Sequence, residues 1–177
     1  MKRFVLSIFF LLATGLFCHA QELKGVWRGS FQQGYGAFKQ KYKYEVQINQ
    51  LAASAAQKGI QGVTYSYRTT VFYGKASLVG IYDSKSKSIT IKETKLVELR
   101  ISDNSEPCLM TCYLEYRKEG KLEILEGTYT SVNVKSKKDC GSGYVYLEKV
   151  EESDFEKEDF LVNKKPDVKK NSTEKTT

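Results

Sequence analysis

Histidine is nearly missing from this chain. The 177 residues hold one, His19, and it lies in a leader that export would remove. A Ser-His-Asp or Cys-His nucleophile and a histidine-ligated catalytic metal are then excluded from the mature protein. A phosphate-cradling glycine loop is missing too, since Gly34-Tyr35-Gly36 follows a strand without the spacing or helix such a loop needs. Carboxylate pairs remain as a route to glycoside hydrolysis. Most acids, however, take outward positions on strands or gather in 151–159, a solvated cluster without the turn geometry of a calcium loop. The expectation is a non-catalytic protein with no cofactor and no metal.

No apolar run reaches the roughly 20 residues that a transmembrane helix needs. The run Phe4 to Phe17 has Ser7, Thr14 and Gly15 as its least apolar members. It is preceded by Met1-Lys2-Arg3 and followed by Cys18-His19-Ala20 before polar Gln21-Glu22. That layout is a secretory signal peptide over 1–20, with cleavage after Ala20. A lipid anchor on Cys18 is the rival reading, but bulky Leu16-Phe17 stand where small residues are wanted. An exported protein follows, periplasmic or secreted and not integral to a membrane.

A basic block is the third absence. The net charge is +7, yet residues 21–162 hold 21 Lys and Arg against 19 Asp and Glu. The last fifteen residues add five Lys against two acids. The excess is an effect of tail and leader, so nucleic acid is not an expected partner.

What is present, from Lys24 to Val150, is period-two alternation. Tyr42, Tyr44, Val46 and Ile48 fall on one face, and Lys41, Lys43, Glu45, Gln47 and Asn49 on the other. Val63, Tyr65 and Tyr67 alternate with Thr64, Ser66 and Arg68; Ile89 and Ile91 with Ser88, Thr90 and Lys92; Met110, Cys112, Leu114 and Tyr116 with Thr111, Tyr113, Glu115 and Arg117. These are half-buried antiparallel strands, apolar inward and polar outward. Short turns such as Lys118-Glu119-Gly120-Lys121 join them. The pattern predicts an all-β domain over 21–150, a single antiparallel up-and-down β-barrel of about 8–9 strands, since closure removes exposed edges. Alanine-rich 51–58 reads as an exposed loop, with a helical turn as the alternative. Ser153-Asp154-Phe155-Glu156 has the form of a capping box, so 151–162 is expected as a short C-terminal helix packed on the barrel. The Lys-rich stretch 163–177 is expected to be a disordered tail.

Three cysteines outlast the leader. On a strand, Cys108 and Cys112 would sit about 13 Å apart, beyond the ~7 Å reach of a disulfide. In a meander the strands that begin near 108 and 144 start at the same barrel end. Cys108–Cys140 is therefore the expected bridge, worth roughly 3–4 kcal/mol in the chain-entropy model. Cys112 remains a free thiol acting as a small buried hydrophobe, and the spacing fits structural zinc poorly.

Gly25-Val26-Trp27 opens the first strand and carries the only tryptophan. It resembles the first motif of the lipocalin and avidin-like (calycin-like) barrels. The resemblance implies that Trp27 plugs one end and leaves the opposite mouth for ligand. The whole of 23–161 also resembles a group of uncharacterised exported proteins of Bacteroidetes-type bacteria. That likeness is carried by Leu23-Lys24-Gly25-Val26-Trp27, Phe72-Tyr73-Gly74-Lys75-Ala76, Cys108-Leu109-Met110-Thr111-Cys112 and Asp139-Cys140-Gly141-Ser142-Gly143. It brings no activity with it. Two functions follow as expectations. One is a barrel binding a small, partly apolar ligand, lined by Trp27, Tyr44, Tyr65, Tyr67, Tyr82, Met110 and Tyr116, unless these aromatics fill the interior. The other is a cell-envelope interaction module that docks a protein or glycan by its surface.

Overall fold

The computed structural model describes residues 22–33, 39–51, 57–102 and 106–162. The stretch 1–20 expected as a signal peptide, Gly34-Tyr35-Gly36, most of the alanine-rich segment and the Lys-rich stretch 163–177 lie outside the described residues. Eight strands follow in chain order: β1 (Gly25–Gln33), β2 (Gln40–Gln50), β3 (Gln57–Tyr67), β4 (Tyr73–Asp83), β5 (Ser88–Arg100), β6 (Cys108–Glu119), β7 (Leu122–Asn133) and β8 (Asp139–Val150). Each pairs antiparallel with the next, and β1 pairs with β8, so the sheet closes as an up-and-down barrel. Among the described residues no helix is long and apolar enough to cross a membrane.

Short connections set this topology. Between β6 and β7 only Gly120 and Lys121 intervene, and Gly120 takes φ 60°, as the first position of a II′ hairpin turn demands. Between β4 and β5, Asp83 Oδ1 accepts hydrogen bonds from the Lys85 and Ser86 amides, an Asx turn that bends the chain locally. Close approach between strands also needs glycine. A Cβ on Gly62 would lie 1.9 Å from the Gln47 carbonyl oxygen.

One end of the barrel is filled. Leu23, Trp27, Ile48, Ile60, Leu78, Tyr82, Ile89, Leu114, Leu125 and Leu147 are all buried there in a single core. Trp27 Nε1 donates to the Leu23 carbonyl (2.9 Å), and the Leu23 amide donates to Gln50 Oε1 (2.9 Å). The segment ahead of β1 is thereby tied across this closed end. At the opposite end Cys108 and Cys140 are joined by a disulfide, with Cα atoms 6.5 Å apart. Cys112 is a buried free thiol.

Two expectations fail. Residues 151–162 form bends and turns rather than a helix. The reason lies with the capping residue. Ser153 Oγ accepts from the Phe155 amide but donates to the Glu45 carboxylate, and the Asp154 amide is taken by Glu45 Oε2 (2.9 Å). Gln47 takes the Glu158 amide (2.8 Å) and donates to the Glu156 carbonyl (3.1 Å). The Glu158 amide and the Glu156 carbonyl, which a helix would use internally, are thus bound to Gln47 of strand β2, and the segment lies over the barrel as a strap.

The second failure is the face of β3. Register places Tyr65 opposite Glu45, Tyr67 opposite Lys43 and Val63 opposite Gln47, and directly opposed residues share a face. Val63, Tyr65 and Tyr67 therefore point outward, into a separate cluster with Tyr73 and Phe155. Thr64 and Ser66, expected outside, belong to the inward set with Val46 and Tyr44. The strap supplies the second apolar environment. Phe155 stacks on Tyr65 with ring centroids 4.0 Å apart, and meets Tyr67 and Tyr73 edge-on. Glu45 and Gln47, charged and polar residues read as solvated, are fully buried beneath it.

Candidate functional site

The half of the barrel away from Trp27 is hollow. A cavity of about 620 Å³ opens there, bounded by Phe31, Tyr42 and Tyr129 on one side and by Ala76, Leu96 and Leu99 on another. Thr64, Ser66, Ser131 and Gln33 add polar groups to its wall. Phe31 anchors the aromatic side, stacked on Tyr42 at 5.1 Å and edge-on to Tyr44 and Tyr129 at 5.7 and 5.4 Å. The mouth carries exposed apolar residues, Val71, Phe72, Leu99 and Ile101.

The cavity's inner end holds a carboxylate. Glu93 follows Ile89 and Ile91 in phase along β5 and so points inward, where it is buried. Its Oε1 accepts from the Thr64 hydroxyl (2.7 Å) and the Tyr44 hydroxyl (2.9 Å). Its Oε2 accepts from the Met110 amide (2.7 Å). That last bond has a structural origin. The β5–β6 ladder runs from Ser88–Glu115 to Lys92–Thr111 and stops. Two register shifts near Ala76 and Leu78 in the β4–β5 ladder accompany this parting. The Met110 amide, the next donor on β6, is satisfied by the Glu93 side chain instead of a strand carbonyl, as a buried amide must be.

Burial pushes the Glu93 carboxyl above its ordinary range, against the lowering effect of its bonds from Thr64, Met110 and Tyr44. Burial, with the Glu93 charge second, likewise raises the Tyr44 phenol well above its usual value. Cys112 is held as the neutral thiol, its ionisation opposed by burial and then by Glu93. A thiol so placed is a poor nucleophile. Because Glu93 is raised on folding, its protonation stabilises the folded chain. That contribution is complete below the unfolded value, about 4.3, and is lost as pH rises through the folded one. Against Glu93→Gln, which does not titrate, the wild type is expected to gain relative stability as pH falls from neutral toward that unfolded value. Urea unfolding across that range reads this, and an unchanged difference would contradict it.

Of the seven residues expected to line a site, Met110 reaches the cavity wall, and Tyr67 touches its rim while facing the strap. Trp27, Tyr82 and Tyr116 lie in the filled half, with Trp27 and Tyr116 edge-on at 6.3 Å. Tyr44 sits beneath the cavity, bonded to Glu93. Tyr65 is on the outer face under Phe155. Glu93 itself was missed, although extending the Ile89–Ile91 alternation by two residues leads to it. Thr64 and Ser66 were missed because β3 was read with its tyrosines inward. Among the described residues no three metal-ligating side chains come together.

Comparison of the chain with protein families, curated proteins and solved structures finds no match.

Proposed function

We propose that this chain is an exported, non-catalytic, lipocalin-like barrel that takes a small, partly apolar ligand at its open mouth. The observation that carries the reading is the 620 Å³ cavity, walled by aromatic and aliphatic side chains with a few converging polar groups. Such a composition is the usual one for small-molecule sites. The apolar lip of Val71, Phe72, Leu99 and Ile101 offers an entry surface. The barrel likeness adds support. Trp27 is buried at the end opposite the mouth, and the Lys149 ammonium lies 5.5 Å from its ring centroid.

Native mass spectrometry of protein purified from its own source tests the proposal. A bound species released on denaturation is expected. Ser66→Trp, which sets an indole in the cavity, should abolish it while leaving the unfolding midpoint near that of the wild type. Protein that carries no such species would overturn the reading. Co-purification of an envelope protein in its place would favour the alternative, an interaction module docking through the exposed Val71 and Phe72.

A further inference from the structure

We infer that the cavity takes its ligand head-first, with a cationic, hydrogen-bond-donating group toward Glu93, so that the ligand class is an amphiphilic amine. This rests on the binding reading above.

The geometry at Glu93 is one-sided. Three donors converge on the carboxylate: two hydroxyls on Oε1 and one backbone amide on Oε2. The amide can only donate, and its fixed bond marks Oε2 as an acceptor. A carboxylate offers about four acceptor positions, which leaves room for one further donor, and Glu93 borders the cavity where that donor would arrive. Among the described residues Glu93 belongs to no ion pair, and its neighbours are Thr64, Tyr44, Met110 and Cys112. Arg68 at the mouth is turned to Tyr42, donating to its hydroxyl (3.2 Å) and lying 5.1 Å from its ring centroid.

A buried carboxylate without a cation is costly. An incoming ammonium supplies the missing charge and the missing donor together. A ligand carboxylate in the same place would set two anions face to face where water screens them weakly. The rest of the cavity suits an apolar tail, since Leu96, Leu99 and Phe72 lead from Glu93 toward the exposed lip.

Three probes of equal chain length separate the possibilities: octylamine, octanol and octanoate, titrated calorimetrically into the purified wild-type protein at pH 7.5. Octylamine is expected to bind at least tenfold more tightly than octanoate, with octanol between them. Glu93→Gln should bring octylamine to the level of octanol. The wild-type ranking stands whether or not that variant folds. Octanoate binding as tightly as octylamine would overturn the head-first amine while leaving a binding barrel in place. An amine preference that survives in folded Glu93→Gln would overturn the role of Glu93. Failure of all three probes on the wild type would take the inference down together with the binding reading.

Discussion

Ending the chain after Val150 is expected to lower the unfolding free energy by roughly 3–5 kcal/mol, from loss of the packing of one aromatic ring against three others and of several buried hydrogen bonds. The strap is bound to the barrel through Glu152 to Glu156 and again through Glu158. Ser153 and the Asp154 amide hold Glu45, and Gln47 bonds to Ser153, Glu156 and Glu158. Arg28 pairs with Asp154, Tyr67 donates to Asp154 (2.7 Å), and Lys75 pairs with Glu158 (2.6 Å). At the centre Phe155 sits among Tyr65, Tyr67 and Tyr73. Without the strap, three aromatic rings and Val63 would face water on the outside of the barrel. The shortened chain should therefore also self-associate. Urea unfolding and light scattering on the two lengths check both outcomes, and equal stability would show the strap to be a passive covering. Phe155→Ala should reproduce the larger part of the loss, since the ring carries most of the buried apolar surface.

Trp27→Ala is the second large change, expected to cost about 3–5 kcal/mol. The indole is fully buried, packs edge-on to Tyr116, lies beneath Lys149 and bonds to the Leu23 carbonyl. Its removal leaves a void in the filled half and frees the segment that ties across the closed end. The cavity lies in the other half, so ligand binding should persist wherever the variant is folded. Denaturant unfolding gives the first quantity. Calorimetry with octylamine gives the second, and a variant that is stable but no longer binds would place Trp27 in the site.

Much of the fold was legible in the residues. Alternation at Tyr44-Val46-Ile48 and at Met110-Cys112-Leu114-Tyr116 gave the correct inward faces because their other faces are polar and, for β6, stay toward solvent. The same rule misread β3. Val63, Tyr65 and Tyr67 are its apolar set, but its outer face is covered by the strap and its inner face borders a cavity. Alternation identifies two faces and names the apolar one; it does not say which lies inside when both are covered. The capping box failed for a related reason. Local sequence described what Ser153 could do for a helix, while Glu45 and Gln47, more than a hundred residues earlier, offered the same backbone better partners.

The amino-acid sequence by itself determined an antiparallel barrel with short connections, and a Cys108–Cys140 bridge between the starts of two of its strands. Those follow from period two, turn residues and strand rise, all of them local quantities. Only the tertiary structure decided that the barrel is half filled and half hollow, that a carboxylate stands at the inner end of the hollow, and that the tyrosines of β3 lie beneath a strap. These depend on register, and on where the β5–β6 ladder parts at Lys92 and Thr111. The parting leaves the Met110 amide to Glu93. That is a matter of which strands stop meeting, which no stretch of the chain contains alone.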